Sequence, residues 1–259
     1  MLTLHRATLV LPDPADPTAP SHADGAVLVR GELVEAVGPY AELTAAHPAA
    51  RVRDWGDALI LPGLRNPCGY WLLERAYHPD PREGAGDEPV PDGLAGEPDE
   101  ARCGASARRG LQRMLGFGVT AVAGPFERAS VRTAVARSGL AVLPAGATGG
   151  GGGGGGGGTA GAAGAGPVGP LDPLAVLPLT EALHGRVTAG GRADFAVFAP
   201  RGDAPAGAPA GAPAGAPAGV PAGVPVRGAV DVAPAPAGPV RVGACRATVL
   251  AGRLVFRRR

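Results

Sequence analysis

Short apolar runs separated by turn residues dominate the first sixty residues of the chain. Apolar and polar side chains alternate before and after Arg30-Gly31-Glu32, and this alternation around a glycine predicts a hairpin. A helical pattern follows, and His47-Pro48 ends it. The predicted elements are strands at residues 3–11, 51–55 and 58–61, a hairpin at 25–38 and a helix at 40–46. The N-terminal part is therefore predicted to be mostly antiparallel β-structure.

The hydrophobic period changes at Ala101, where a helical pattern begins that ends at Gly116. Its apolar face carries Ala107, Leu111, Met114 and Leu115. The pattern then predicts a strand at 118–122, a helix at 126–138 with Glu127 in its first turn and Gly139 just past its end, and a strand at 140–143. Alternating strands and helices are typical of parallel βα units.

Two low-complexity tracts interrupt the second half of the chain. An unbroken glycine run from Gly149 to Gly158 has no side chains to bury, so residues 148–169 are predicted to be a flexible linker. Repeated Ala-Pro-Ala-Gly predicts an extended linker at 203–226, because a proline in every fourth position excludes a stable helix. Outside the tracts, the pattern predicts a helix at 179–184, a strand at 193–199 and a hairpin at 240–256 with Ala251-Gly252 in its turn.

Neither end of the chain has enough strands to bury both faces of a sheet by itself. We therefore expect the two ends to pair, in a mixed α/β fold with a β-rich unit built from both termini. The predicted division is 1–61 for the first half of that unit, 62–147 for a βα segment, 148–169 and 203–226 for the linkers, 170–202 for a returning helix and strand, and 227–259 for the last strands.

Composition restricts the function classes. The 44 glycines and 29 prolines reduce the part of the chain that can form a core. A formal net charge of +1 provides no overall field that would attract nucleic acid, and no apolar run is long enough to span a membrane. The three cysteines are an odd set and far apart, so neither a disulfide framework nor a zinc knuckle is indicated, and a reducing cytoplasm fits best. Neither a nucleic-acid partner nor a membrane partner is predicted.

Four segments carry a family resemblance when they are taken in order along the chain. They are GAVLVRGELVEAVG, DALILPGLRN, LGFGVTAV with its preceding helix, and the pair GRADFAVF and ATVLAGRLVF. In these segments the chain resembles the amidohydrolase superfamily, most closely the composite domain of bacterial imidazolonepropionase and aminodeoxyfutalosine deaminase-like proteins. The resemblance implies a β-sandwich assembled from both chain ends beside a (β/α) barrel, which would here be truncated and incomplete.

The resemblance also implies a metal site that the sequence does not reproduce. In the family a His-x-His pair follows the strand that ends at Asn66, and those two positions are Cys68 and Tyr70. A cysteine thiolate can bind zinc, whereas a phenol is a poor ligand. A complete eight-stranded barrel takes roughly 250 residues, and only three strand candidates precede the glycine run. We therefore predict no catalytic residue, no metal ligand and no cofactor.

Other candidate residues have plain structural interpretations. No two of the histidines, His5, His22, His47, His78 and His184, lie within four positions of each other. Cys68 could be a nucleophile, but a packed thiol is the simpler interpretation. The glycine run lacks the GK[ST] sequence of phosphate-binding loops. The acidic loop at 80–100 is interpreted as a solvated surface, with a lid or cation site as the alternative. A solvated helix face is the interpretation for Arg102, Arg108, Arg109 and Arg113.

Three functional hypotheses follow. The first is a catalytically inactive amidohydrolase-like protein that acts by binding an unidentified small molecule or protein partner. The second is a hydrolase of non-peptide C–N bonds in cyclic amides or amidines, which would use zinc or iron with unconventional ligands or a partner chain. The third is an inactive relic. The loss of the His-x-His pair favours the first.

Overall fold

The structure is a computed structural model that describes residues 1–84, 86–144, 169–201 and 240–258. Apart from Gly169, the two tracts predicted to be linkers lie outside the described residues, and their disorder stays a prediction. The strands are β1 (Leu2–Val10), β2 (His22–Arg30), β3 (Leu33–Pro39), β4 (Arg51–Asp54), β5 (Leu59–Pro62), β6 (Leu64–Asn66), β7 (Val119–Ala123), β8 (Ala141–Leu143), β9 (Phe195–Pro200), β10 (Val242–Leu250) and β11 (Arg253–Arg257).

Four α-helices and three shorter helical turns complete the described part of the chain. The α-helices are α1 (Tyr40–Ala46), α2 (Glu100–Leu115), α3 (Ala129–Ser138) and α4 (Leu179–Ala182). A π-helix spans Trp71–Arg75, and 3₁₀ turns span Pro81–Glu83 and Pro173–Ala175. The fold is thus mixed α/β, as predicted, and each predicted helix and strand is present near its expected position.

Strands from both chain ends share one eight-stranded sheet. Its order is β11-β10-β9-β5-β1-β2-β3, with β4 paired to β1. The antiparallel pair of β5 and β9 is the strand pairing that joins the two chain ends within this sheet. Strands β4 and β5 both run parallel to β1, so the N-terminal part is less uniformly antiparallel than the sequence suggested. Hydrogen bonds connect all eight strands in a single sheet.

This large sheet curls so that the turns at its two ends meet, since a Cβ atom added to Gly252 in the β10–β11 turn would lie 2.0 Å from the carbonyl oxygen of Gly31 in the β2–β3 turn. The backbone N–H of Val34, in β3, donates to the carbonyl of Gly191 at 2.9 Å, and Val34 accepts from Gly190 at 2.8 Å. The curl encloses an apolar core whose members include Val10, Val29, Ile60, Phe195 and Val249. Burial of such side chains contributes about 1.5–3 kcal/mol each. The core depends on residues from both chain ends.

A three-stranded parallel sheet, in the order β6-β7-β8, lies beside the large sheet. Helix α2 packs the apolar face predicted from its periodicity, including Ala107, Leu111 and Met114, into the core between the two sheets. Asp99 caps its start by accepting the N–H groups of Ala101 and Arg102. This βαβαβ unit positions the candidate site.

Helix α3 begins three residues later than its apolar pattern indicated. Glu127 therefore precedes the helix, and the prediction that it lies in the first turn is wrong. The N–H of Arg128, the residue before the helix, donates to the Oε1 atom of the buried Glu74 at 2.8 Å. A carboxylate from another part of the chain thus binds the backbone where the sequence suggested a helical turn. Gly139 lies just past the end of the helix, as predicted, and has a left-handed backbone.

The core of the large sheet contains a histidine that makes the fold sensitive to acid. His5 is 1% exposed, and neither ring nitrogen has a hydrogen-bond partner among the described residues. Its ring stacks on Trp55 and meets the edge of Phe195. Burial, with a smaller effect of the Arg53 charge, lowers the pKa of His5 from 6.5 to about 3. The unfolded chain therefore takes up this proton first as the pH falls.

We expect the His5→Phe variant to be less sensitive to acid than the native chain. Because the folded pKa is depressed, the native stability is complete above pH 6.5 and is lost as the pH falls towards 3. At pH 5 the unfolded chain binds this proton and the folded chain does not. The free energy of unfolding should therefore be about 2 kcal/mol lower at pH 5 than at pH 7 or above. Urea unfolding at pH 7.5 and pH 5 measures the difference. The control is His47→Gln, which changes a different histidine. If the stability of His5→Phe depended on pH as strongly as that of the native chain, this account of His5 would be contradicted.

Candidate functional site

The carboxyl end of β6 is the place where the family resemblance puts metal ligands. Asn66 is 1% exposed, and its Oδ1 atom accepts the backbone N–H of Cys68 at 2.8 Å. Its Nδ2 atom donates to the carbonyls of Pro170 and Leu171 at 3.1 and 3.0 Å. Asn66 therefore uses both ends of its amide to join the end of this strand to the segment at 169–172.

Cys68 is packed against that same segment. The residue is 4% exposed, and a Cβ atom added to Gly169 would lie only 2.4 Å from its Sγ atom. Burial raises the pKa of the Cys68 thiol above its ordinary value. The neutral thiol is thus favoured, whereas both metal binding and nucleophilic attack require the thiolate. The geometry supports the interpretation of Cys68 as a packed thiol.

Tyr70 stands immediately before the π-helix and is partly exposed. Partial burial and the charges of Glu127 and Glu74 raise its phenol pKa. The phenol is therefore kept protonated and is a poorer metal ligand than an unperturbed tyrosine. The three residues that follow, Trp71, Leu72 and Leu73, are buried in the core between the two sheets.

The residues at the family's metal positions do not fit a metal ion. Cys68 is a buried neutral thiol, Tyr70 is a protonated phenol, and the histidines lie in separate parts of the fold. His5 is in the core of the large sheet, His78 lies against α2 beside Gly110, and His184 donates its backbone N–H to Gly63. Within the described ranges, no three His, Cys, Asp or Glu residues come together as a potential metal-binding group.

A cavity of about 1000 Å³ lies near this strand end. Helix α2, the π-helix, the segment at 169–172 and the end of β11 line it, whereas Asn66, Cys68 and Tyr70 do not. Sequence reasoning missed this site. The signal that could have indicated it is the pair Arg109 and Arg113, which are one helical turn apart on the side of α2 that lines the cavity.

The interpretation of the α2 arginines as a solvated face is wrong for Arg109 and Arg113. Their side chains are only 20% and 19% exposed, because the acidic loop folds against this part of the helix. The Nε atom of Arg109 donates to the carbonyl of His78 at 2.7 Å, and the ring of Tyr77 lies 5.7 Å from its guanidinium carbon. Arg102, in contrast, is about half exposed.

The buried His78 contacts Arg113 but is not among the residues that line the cavity. Its Nε2 atom lies 2.8 Å from the carbonyl of Leu72, which makes Nε2 the donor and leaves Nδ1 as an acceptor. Nδ1 lies 3.4 Å from Nη1 of Arg113. Burial is the main cause that lowers the pKa of His78 from 6.5 to about 4, so the ring is neutral at pH 7. A neutral His78 does not repel the guanidinium.

The acidic loop is partly fixed, although many of its carboxylates face solvent. Asp92 pairs with Arg75 at 2.8 Å, and Glu83 accepts the hydroxyl of Tyr77 at 2.6 Å. Asp87 is 90% exposed at the cavity's edge.

No helix in the described ranges is long and apolar enough to cross a membrane.

Comparison with known proteins gives one short sequence match to a family. Residues 25–50, which form most of β2 with β3 and α1, match the imidazolonepropionase-like composite domain of bacteria. A stretch of 43 residues is 54% identical to a 5-methylthioadenosine/S-adenosylhomocysteine deaminase of Nitratidesulfovibrio vulgaris. This stretch is 17% of the present chain and 10% of the deaminase, so the match covers a small part of that relative.

Solved structures resemble the chain over a longer range. The guanine deaminase of Bradyrhizobium japonicum has 19% identity and a TM-score of 0.42, and the similarity covers 56% of this chain and 34% of the deaminase. The aminofutalosine deaminase of Helicobacter pylori has 16% identity and a TM-score of 0.37, covering 56% of this chain and 33% of the enzyme. The chain thus spans about a third of the length of these structural relatives.

The segment that matches the composite domain is the one quoted from the sequence as GAVLVRGELVEAVG, extended through α1. In the structure this segment is the β2–β3 hairpin and the helix after it, at one end of the large sheet. The resemblance to the imidazolonepropionase-like composite domain is therefore confirmed for residues 25–50 of the chain.

Proposed function

We propose that this chain is a catalytically inactive amidohydrolase-like protein that acts by binding. The observation that carries the proposal is the bridge from Asn66 to Pro170 and Leu171. This bridge places a piece of the chain itself at the strand end where the resemblance puts the first metal ligands. The buried thiol of Cys68 lies under the same piece. The chain keeps its fold, but its own segment covers the strand end where metal ligands would be needed. A binding role is therefore favoured over a hydrolytic one.

The architecture that accompanies this proposal is a composite β-unit beside a shortened barrel. The large sheet supplies the sandwich-like unit, and β6, β7 and β8 with α2 and α3 supply the barrel remnant. Three adjacent parallel strands with helices between them support this view, because a (β/α) barrel is a repetition of that unit. The predicted division of the chain into six segments is part of the same proposal.

The chemistry of hydrolysis in this superfamily needs a bound metal to activate water. A catalytic zinc usually has three protein ligands and one open position for water. Here the residues at the first two ligand positions are a buried neutral thiol and a protonated phenol. To bind a metal, the thiol and the phenol would have to lose their protons, and their surroundings disfavour that loss. The alternative proposal of a hydrolase requires other ligands or a partner chain.

We expect purified protein to bind no stoichiometric zinc or iron and to show no metal-dependent turnover. Imidazolone-type compounds and aminated purine nucleosides are the substrates to test, because the resemblance and the deaminase match point to them. Elemental analysis and absorbance assays measure the two quantities. The double variant Cys68→His, Tyr70→His should also be inactive, since two ligands do not complete a catalytic zinc site.

The matched variants are Cys68→Ala and Cys103→Ala, because both remove a buried thiol but only Cys68 lies at a family metal position. Metal-dependent turnover by the native chain that disappears in Cys68→Ala and persists in Cys103→Ala would establish the hydrolase alternative and refute the proposed binding function.

A further inference from the structure

We propose that the cavity beside α2 is a binding site for a small aromatic carboxylate. Arg113 would bind the carboxylate, and an apolar wall would hold the ring. This inference deepens the proposed binding function, since it names the ligand class and the place where it binds. The site differs from the family's metal position, because neither Cys68 nor Tyr70 lines the cavity.

The guanidinium N–H donors of Arg113 make only long contacts with the described residues. A guanidinium offers five N–H donors in a planar fork. The contacts of Arg113 are 3.4 Å to His78 Nδ1, 3.4 Å to the carbonyl of Pro79 and 3.6 Å to Asp87. All three are long for hydrogen bonds to a charged donor, which usually measure about 2.7–2.9 Å. A side chain that is only 19% exposed therefore still has donors for a ligand.

His78 acts as a positioning residue for that guanidinium. Its neutral Nδ1 atom faces Arg113, while the carbonyl of Leu72 fixes the opposite ring nitrogen. Close packing against Gly110 further restricts the ring, since a Cβ atom there would lie 2.6 Å from Nε2. These contacts limit the positions that Arg113 can take before a ligand arrives, which reduces the entropy lost on binding.

The rest of the cavity suits an apolar ring. Trp71, Leu115, Phe117, Leu171 and Phe256 contribute to its lining. Aromatic and aliphatic walls with a few polar groups are typical of small-molecule sites, and the volume of about 1000 Å³ is at the upper end of their usual range. A ligand with one aromatic or heteroaromatic ring system would fill part of this space.

The charges near the cavity favour one negative charge over two. Arg109 and Arg113 are mostly buried, and Arg109 also lies 3.7 Å from Asp80. Asp87, Glu88 and Asp172 also line the cavity, as does Arg258, and of these Asp87, Glu88 and Arg258 face solvent. Three acidic side chains would oppose a dianionic phosphate, whereas a single carboxylate can accept both N–H groups of one arginine. A monoanion is the ligand that this balance fits.

The test compares 2-naphthoate with its uncharged analogue 2-naphthamide, by calorimetric titration of the full chain. We expect 2-naphthoate to bind at one site per chain and about tenfold or more tightly than the amide, because a charge-assisted hydrogen bond is worth at least that ratio. Quenching of Trp71 fluorescence should follow the same binding curve; Trp71→Phe identifies its signal because Trp55 lies outside the cavity lining. Equal affinity for the two compounds, or no binding of either, would overturn the proposal.

Arg113→Gln should weaken naphthoate binding about tenfold or more, and Arg102→Gln is the matched control from the exposed part of the same helix. Thermal melting checks that both variants fold, and the naphthoate–naphthamide comparison needs no variant at all. An equal loss in both variants, or none in Arg113→Gln, would contradict the assignment. Metal-dependent turnover would refute the proposed inactivity without affecting this site, whereas absent naphthoate binding would refute this site alone.

Discussion

Deleting residues 240–259 should abolish the cooperative unfolding transition of the chain. The deletion removes β10 and β11, and β10 is the strand that covers the open side of β9. It also removes the buried side chains Val249 and Leu250, and the hydroxyl of Thr248 that donates to the carbonyl of Leu115 at 2.6 Å. That last contact joins the large sheet to the end of α2.

The expected effect is large because the net free energy that stabilises a folded domain is small. A folded domain is typically stable by about 5–15 kcal/mol, and each large apolar side chain contributes about 1.5–3 kcal/mol of that by burial. Two lost strands also leave the backbone groups of β9 without partners on one side. Circular dichroism during heating and urea titration measure the outcome.

The control deletion removes only residues 258–259, which leaves both strands in place. It should melt close to the temperature of the full chain, with a small loss from the bond between Arg258 N–H and the carbonyl of Arg246. A chain truncated at residue 239 that melts like the full chain would show that the N-terminal strands do not depend on the C-terminal ones.

Gly63→Ala should destabilise the fold by about 3 kcal/mol or more, at or above the usual range for overpacking of a well-packed core. Gly63 lies between β5 and β6, where the chain leaves the large sheet and enters the small one. A Cβ atom there would lie 2.0 Å from Oγ1 and 2.1 Å from Cγ2 of Thr120. Thr120 is fully buried in β7, so neither strand can move without disturbing a sheet.

The matched control is Gly38→Ala, because Gly38 lies in β3 and nothing is within 4 Å of an added Cβ atom. This variant should keep the native stability. Thr120→Gly removes all three atoms that the new methyl group would meet, so the double variant Gly63→Ala, Thr120→Gly should lose less than the sum of the two single changes. Additive losses in urea unfolding would show that contact with Thr120 is not the cause.

Periodicity was sufficient to predict most elements of this fold. The hairpin around Arg30-Gly31-Glu32, helix α1 and helix α2 all lie close to their predicted bounds, because alternation and helical spacing are local properties. The start of α3 was misplaced because the determining contact, from Glu74 to the N–H of Arg128, is long-range. The side of α2 that lines the cavity was misjudged for the same reason: the loop that buries Arg113 comes from another part of the chain.

The sequence by itself determined the kinds of elements, the composite-domain resemblance, and the presence of Cys68 and Tyr70 at the positions where that resemblance implies a His-x-His pair. Only the tertiary structure decided that Asn66 binds the segment at 169–172 and that Arg113 is mostly buried within a cavity. Spacing along the chain predicts which neighbours share a face, because side-chain direction follows the local backbone. It does not predict which distant segments meet, because that depends on how all the apolar faces are buried together.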